Sequence, residues 1–216
     1  MKKIIASKFS PSQRHFVLTN DRMIRSELKK QLEEIYKKES DTKIIEELGI
    51  IHGEARIDIA VVNGVIHGYE LKGDLDTLTR LPNQIKIYNS VLDKVTLVVG
   101  KNHLHEAIKI VPEWWGITVA KLAIGDKNIS FYNIREAEQN PMPDSVSVAA
   151  LLWRNEALKI LEDINKTTGV RSKTRKVIYQ RLTDALDSQT LGQRVRECLR
   201  TRVNWRSGLQ YTRGGD

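Results

Sequence analysis

One cysteine, Cys198, stands in the 216 residues. It excludes an intrachain disulfide and a cysteine-built zinc cluster, and it fits a reducing cytoplasm. Aromatic residues make up only 6% and prolines number five. No apolar run approaches the ~20 residues that span a bilayer, so no membrane association is expected. The chain opens on Lys2-Lys3 but continues apolar only from Ile4 to Ala6, too short for a secretory signal. A Gly-rich phosphate loop, a Ser-His-Asp arrangement, internal repeats and low-complexity tracts are all missing.

Charge is present and unevenly placed. The formal net charge is +8, and residues 151–216 hold 14 Lys and Arg against 7 Asp and Glu. Nearly all the excess positive charge therefore lies in the C-terminal third, which suggests a polyanionic partner such as nucleic acid. With 40% hydrophobic and 29% charged residues, the composition is that of a folded aqueous protein, not a disordered one.

Hydrophobic periodicity predicts the elements. Residues 21–37 read as an amphipathic helix with Ile24, Leu28, Leu32 and Ile35 at helical spacing, capped by Asn20 or Asp21. Residues 42–50, 55–62 and 65–72 read as strands, the last two joined at Asn63-Gly64, a hairpin signal. A helix is expected over 78–92, with regular hydrogen bonding starting near Pro82. Residues 94–100 form an unbroken apolar strand suited to a central position. A short helix at 103–110 and strands at 114–122 and 129–134 complete an α/β fold with a mixed sheet. The proline-bearing stretch 139–145 reads as a linker between a domain at 1–138 and a basic helical domain at 146–216. Helices are expected there at 146–165, 173–187 and 190–205.

Within this frame Glu46, Glu47, Asp58, Glu70, Lys72, Asp74 and Asp76 gather among otherwise apolar strands. Strand alternation puts Glu70 and Lys72 on one face and Tyr69 and Leu71 on the other. A buried acid is costly unless it is paired or holds a cation, which points to a metal site. The hairpin register supplies a test. A strict two-residue turn on Asn63-Gly64 puts Asp58 opposite Tyr69, so Asp58 and Glu70 would face opposite ways. They converge if the loop has three residues, expected as Val62-Asn63-Gly64 with Gly64 left-handed, or an equivalent bulge.

Asp58, eleven intervening residues and then Glu70-Leu71-Lys72 on the next strand resembles the D…ExK signature of the PD-(D/E)XK superfamily. The helix that follows carries Gln84-x-x-x-Tyr88, similar to the QxxxY motif of the RecB-like branch. The text from His52 to Asn89, followed by VTLVVG and VPEWWGI, resembles an uncharacterised bacterial family of that superfamily, and the likeness covers roughly residues 20–122. Ile57 stands where the motif's proline would. The resemblance implies a restriction-endonuclease-like mixed sheet flanked by helices, followed here by the C-terminal basic helical extension. It also implies a hydrolase of bacterial or phage origin that cuts phosphodiester bonds with Mg²⁺ or Mn²⁺. Asp58 and Glu70 would be metal ligands, with the Leu71 carbonyl a further one. Lys72 would orient water or stabilise charge on phosphorus. Glu47, or Glu46 in its place, would be an accessory carboxylate. Arg80, Gln84 and Tyr88, four residues apart on one helix face, would steer phosphate and the acids, with Glu27 a weaker candidate.

Other residues read as structural: Asp74 and Asp76 as turn and cap residues, Gly73 as backbone geometry, and Trp114-Trp115 as sheet packing. His52, His67, His103 and His105 read as ordinary histidines. In the basic region Arg175, Lys176, Arg194, Arg196, Arg200 and Arg202 are the candidate contacts to nucleic acid, DNA before RNA, with Tyr179, Trp205 and Tyr211 interspersed. Trp205 is expected to pack and not to stack on bases. Double-strand cutting by one such site would call for a homodimer, though no dimer patch is legible. The alternatives are a catalytically inactive nucleic-acid-binding module of the same fold, or a protein-interaction component of a defence or repair system.

Overall fold

Helix α1, Asp21–Ile35, begins where Asn20 accepts the Met23 N–H at 3.0 Å, a cap that satisfies one of the free donors of the first turn. Its apolar stripe, Ile24, Leu28 and Leu32, is buried, and each side chain contributes roughly 1.5–3 kcal/mol by leaving water. In this computed structural model, which describes residues 16–203, the stripe lies on one face of a seven-stranded sheet. The strands are β1 (Phe16–Val17), β2 (Lys43–Ile50), β3 (Ala55–Val62), β4 (Ile66–Lys72), β5 (Lys94–Gly100), β6 (Gly116–Ala123) and β7 (Ser130–Arg135). Their order is β1-β6-β5-β4-β3-β2, with β7 also pairing β6. The central pairs β4–β5 and β5–β6 are parallel and the flanking pairs antiparallel. The architecture is the expected α/β fold with a mixed, open sheet. Strand β5 is buried from Val95 to Gly100, as its unbroken apolar run predicts.

The opposite face carries the larger core. Against it pack α2 (Leu81–Val91), α3 (Leu104–Ile110) and the C-terminal helices α4 (Ser145–Ala149), α5 (Arg154–Asp163), α6 (Arg175–Ala185) and α7 (Ser188–Thr201). One continuous set of buried side chains runs from Ile57 and Leu97 through Tyr88 and Trp115 to Leu161, Ile178 and Leu199. The stretch 139–145 thus marks a change of composition, while the apolar core passes across it. No described helix is long and apolar enough to cross a membrane.

Three local differences from the sequence expectation have physical causes. Helix α2 starts at Leu81, not residue 78, because Pro82 is tolerated only in a first turn. The helix expected over 146–165 is two helices. Trp153 leaves helical geometry at its N-terminal cap position, and its N–H is taken by the Glu156 carboxylate at 2.7 Å. The hairpin loop is Asn63-Gly64-Val65, one residue later than expected, closed by Val62↔Ile66 pairing. Gly64 is not left-handed; instead the Asn63 side chain accepts the Val65 N–H at 3.2 Å, an Asx turn that supplies the curvature.

The exit of β4 crosses the entry of α1 closely. A Cβ on Gly73 would lie 2.6 Å from the Asn20 Cα, so glycine is required for contact and not for its dihedral freedom. Asp74 then stitches three segments, accepting the Thr19 N–H at 2.9 Å, the Thr19 hydroxyl at 2.8 Å and the Asn102 N–H at 2.9 Å. Asp76 accepts the Gly73 N–H at 2.7 Å. Both acids serve the turn.

Candidate metal and phosphodiester site

The site grows from a break in strand regularity. In the β2–β3 pairing, Glu46↔Ile59 and Leu48↔Ile57 are partners, while Glu47 and Asp58 between them are not. Glu47 has φ 55°, a left-handed backbone that costs a non-glycine residue of order 1 kcal/mol. The face alternation of β3 slips at the same point. Ala60 and Val62 belong to the large core and Ile59 and Val61 to the α1 side, yet Ile57 returns to the large core. Asp58 sits at this twist, just beyond the last β3–β4 pair, Ile59↔Tyr69, in the register that sets it opposite Glu70. Its Oδ2 accepts the Leu71 N–H at 2.7 Å. The convergent register required by the sequence argument is therefore present, reached through a displaced loop.

Glu70 is 1% exposed. Its Oε1 accepts the Lys72 ammonium and, at 2.6 Å, the Gln84 side-chain amide. The Tyr88 hydroxyl lies 2.7 Å from both Glu70 Oε2 and the Arg56 carbonyl, so its one proton serves one acceptor at a time. Burial raises the Glu70 pKa, the Asp58 charge adds to the rise, and Lys72 and Tyr88 oppose it. Burial also raises that of Tyr88, reinforced by Glu70, so the phenol stays a donor. Gln84 Oε1 is buried with no partner among the described residues.

Asp58 has a different neighbour. Arg25 of α1 donates from Nη2 to Asp58 Oδ1 at 2.6 Å and from Nη1 to the Asp58 carbonyl at 2.9 Å. The same guanidinium meets Glu47 at 2.7 Å and Asp21 at 3.1 Å. Burial works against its charge, and hydrogen bonding to Asp21 and the charges of Asp58 and Asp21 more than restore it. Sequence reasoning missed Arg25. Its signal was Asp21 four residues earlier on the helix face that flanks the buried stripe.

Asp58, Glu70, Leu71 and Lys72 share the wall of one cavity of about 840 Å³, together with Glu47, Arg80 and Gln84. Six carboxylates against four guanidinium or ammonium groups line it, an excess of negative charge suited to a cation. Among the described residues no group of three or more His, Cys, Asp or Glu forms a ready metal cluster. Mg²⁺ does not need one, since it commonly binds through one or two carboxylates and keeps several waters. Two hard carboxylates on an open polar cavity, with an unpartnered buried amide oxygen beside them, fit that ion. Glu46 pairs with Lys29 outside the cavity, and Glu27 does not line it.

The remaining candidates separate. Arg175 and Lys176 are exposed in the first turn of α6. Arg194 pairs with Glu197 at 3.8 Å, Arg196 with Asp93 at 3.5 Å and Arg200 with Asp41 at 3.7 Å. Arg202 corrects the sequence expectation. It is buried, bonds Glu156 at 2.5 and 2.8 Å and stacks on Trp153 at 4.2 Å, so it holds α7 to α5 and is not free to reach nucleic acid. Tyr179 is buried with its hydroxyl on the Leu152 carbonyl, and Trp205 and Tyr211 lie outside the described residues. Trp115 is fully buried, with its indole N–H on Asn89 at 2.9 Å. His67 is enclosed by Thr96 and Tyr69, and burial, then Lys94, pushes its pKa down to about 4.

Comparison with known proteins places the chain in a family. The family described as Bacteriophage P4 protein cII matches residues 17–213. Protein cII of Enterobacteria phage P4 is 38% identical over 88 residues, 40% of this chain and 33% of that relative. The chain thus matches about a third of the length of this curated relative. A solved structure, the SPO1766 protein of unknown function from Silicibacter pomeroyi, aligns with a TM-score of 0.37 at 15% identity, covering 77% of this chain and 99% of that one.

Proposed function

The chain belongs to the bacteriophage P4 protein cII family, and from the geometry of its site we propose that it is a metal-dependent nuclease of the PD-(D/E)XK type acting on nucleic acid, DNA before RNA, in the cytoplasm. The observation that carries the reading is the pairing of Asp58 and Glu70 on one polar cavity with Lys72 bonded to Glu70. Asp58, Glu70 and the Leu71 carbonyl would hold Mg²⁺, while Glu47 stands beside them paired with Arg25. The ion, when bound, supplies Lewis acidity to the phosphate and lowers the pKa of a bound water. The protein's own residues do the rest. Gln84 and Tyr88 fix the Glu70 carboxylate through two short contacts, one to each oxygen, so little reorganisation is needed at reaction. Lys72, held by Glu70, brings a positive charge to the position where negative charge develops on phosphorus. Arg80, exposed on the cavity rim, would orient the phosphodiester.

A second reading rests on a specific contact. Arg25 already neutralises Asp58, which suits a nucleic-acid-binding module that has kept the fold without the reaction. Incubating the full chain with labelled DNA and RNA in Mg²⁺, Mn²⁺ or EDTA separates the two. Cutting that needs metal and falls by roughly a thousandfold in Glu70→Gln and Lys72→Met supports the nuclease. Salt-sensitive binding with no cutting under any metal supports the module.

A further inference from the structure

Resting on the reading of Asp58 and Glu70 as the cation-holding pair, we propose that Arg25 is a resident counter-ion that occupies Asp58 until a divalent ion displaces it, so that α1 gates metal entry. The two acids are neutralised in different ways. Glu70 takes its ammonium from Lys72 two residues along the same strand, and the amide and phenol of α2 hold it from the other side. Asp58 takes its counter-charge from a separate helix, through one guanidinium that also engages Asp21 and Glu47.

That sharing makes displacement feasible. A guanidinium is charged at every working pH, so it competes with a dication for the same carboxylate oxygen, and two cations a few ångströms apart repel. Arg25 has two acids to fall back on. Asp21 and Glu47 have side chains 41% and 47% exposed, against 17% for Asp58, and both are already within 3.1 Å of the Arg25 guanidinium. Moving onto them leaves no buried charge without a partner. Asp58 keeps the Leu71 N–H on its other oxygen, so the carboxylate stays aimed while Oδ1 is freed. Glu47 has a place in this exchange: its left-handed backbone at the bulge carries its carboxylate to Arg25.

Mg²⁺ titration of the full chain by calorimetry, with the Arg25 Nε–H followed by ¹⁵N NMR, tests the gate without any substrate. Arg25→Gln is expected to bind Mg²⁺ about tenfold more tightly than the native chain, and the native Arg25 resonance is expected to move on Mg²⁺ saturation. Binding should vanish in Asp58→Asn. If Arg25→Gln does not fold, Arg25→Lys carries the test, because a point charge cannot bridge three acids and should yield to Mg²⁺ with a smaller gain in affinity. Metal binding that is equally tight with and without Arg25, with an unmoved Arg25 resonance, overturns the gate while leaving the carboxylate pair as the metal site. No Mg²⁺ binding by the native chain or by either Arg25 variant removes the gate and the metal-site reading together.

Discussion

The cavity wall and the C-terminal helices both concentrate charge, and they use it in opposite ways. At the cavity, opposite charges are crowded where strand pairing fails, with Glu70 and Lys72 almost wholly out of water. In the C-terminal helices four of the six candidate contacts to nucleic acid are instead tied up in separate ion pairs. Arg202 is buried on Glu156, and Arg194, Arg196 and Arg200 each meet an acid. Of the candidate contacts there, Arg175 and Lys176 have no ion pair among the described residues and remain exposed. Net charge alone cannot tell a binding surface from a set of internal ties; burial and partner distance can.

The sharpest way to break this contrast is to strip the buried pair of its cation. Lys72→Met leaves Glu70 buried without its ammonium and should cost about 4 kcal/mol of stability at neutral pH, read by urea denaturation. The pH sign follows from burial. The folded Glu70 binds its proton more readily than the unfolded one, so its contribution is favourable at acid pH and is lost as pH rises above the ordinary value of 4.5. The deficit of Lys72→Met should therefore shrink on acidification, and a pH-independent deficit would mean Glu70 is not the group left stranded. Next in size, Arg202→Ala should cost roughly 2–3 kcal/mol, since it unpins α7 from Glu156 and Trp153. It should leave nucleic-acid affinity per folded molecule unchanged, as a filter-binding assay on the folded fraction can check. The smallest stability effect belongs to Arg175→Ala with Lys176→Ala. Stability should stay within about 0.5 kcal/mol, while the salt dependence of nucleic-acid binding loses about one unit of slope per residue. An unchanged slope would remove the first turn of α6 from the binding surface.

Much of the fold was legible because apolar spacing is a local property. Residues 55–62 and 94–100 have the same bounds in sequence and structure, and Asn20 caps α1 as its position suggests. The break at Trp153 was missed although Glu156, three residues on, is a local capping signal; what no local pattern shows is Arg202, which reaches Trp153 and Glu156 from the end of α7. Within the site, Glu70, Lys72, Gln84 and Tyr88 were readable from strand and helix periods, and the register parity that brings Asp58 to them was stated as a condition. The loop that meets the condition differs in detail: the Asn63 side chain, not a left-handed Gly64, makes the turn. Arg25 was missed because its partners Glu47 and Asp58 come from two other strands.

Periodicity in the chain determined which residues form strands and helices, and which acids and which lysine could stand on one face of a hairpin, since side-chain direction along a strand or helix repeats at a set interval. Tertiary structure alone decided which positive charge meets which acid. Coulomb energy depends on distance in space and on exclusion of water, and neither is written in the spacing of residues along the chain.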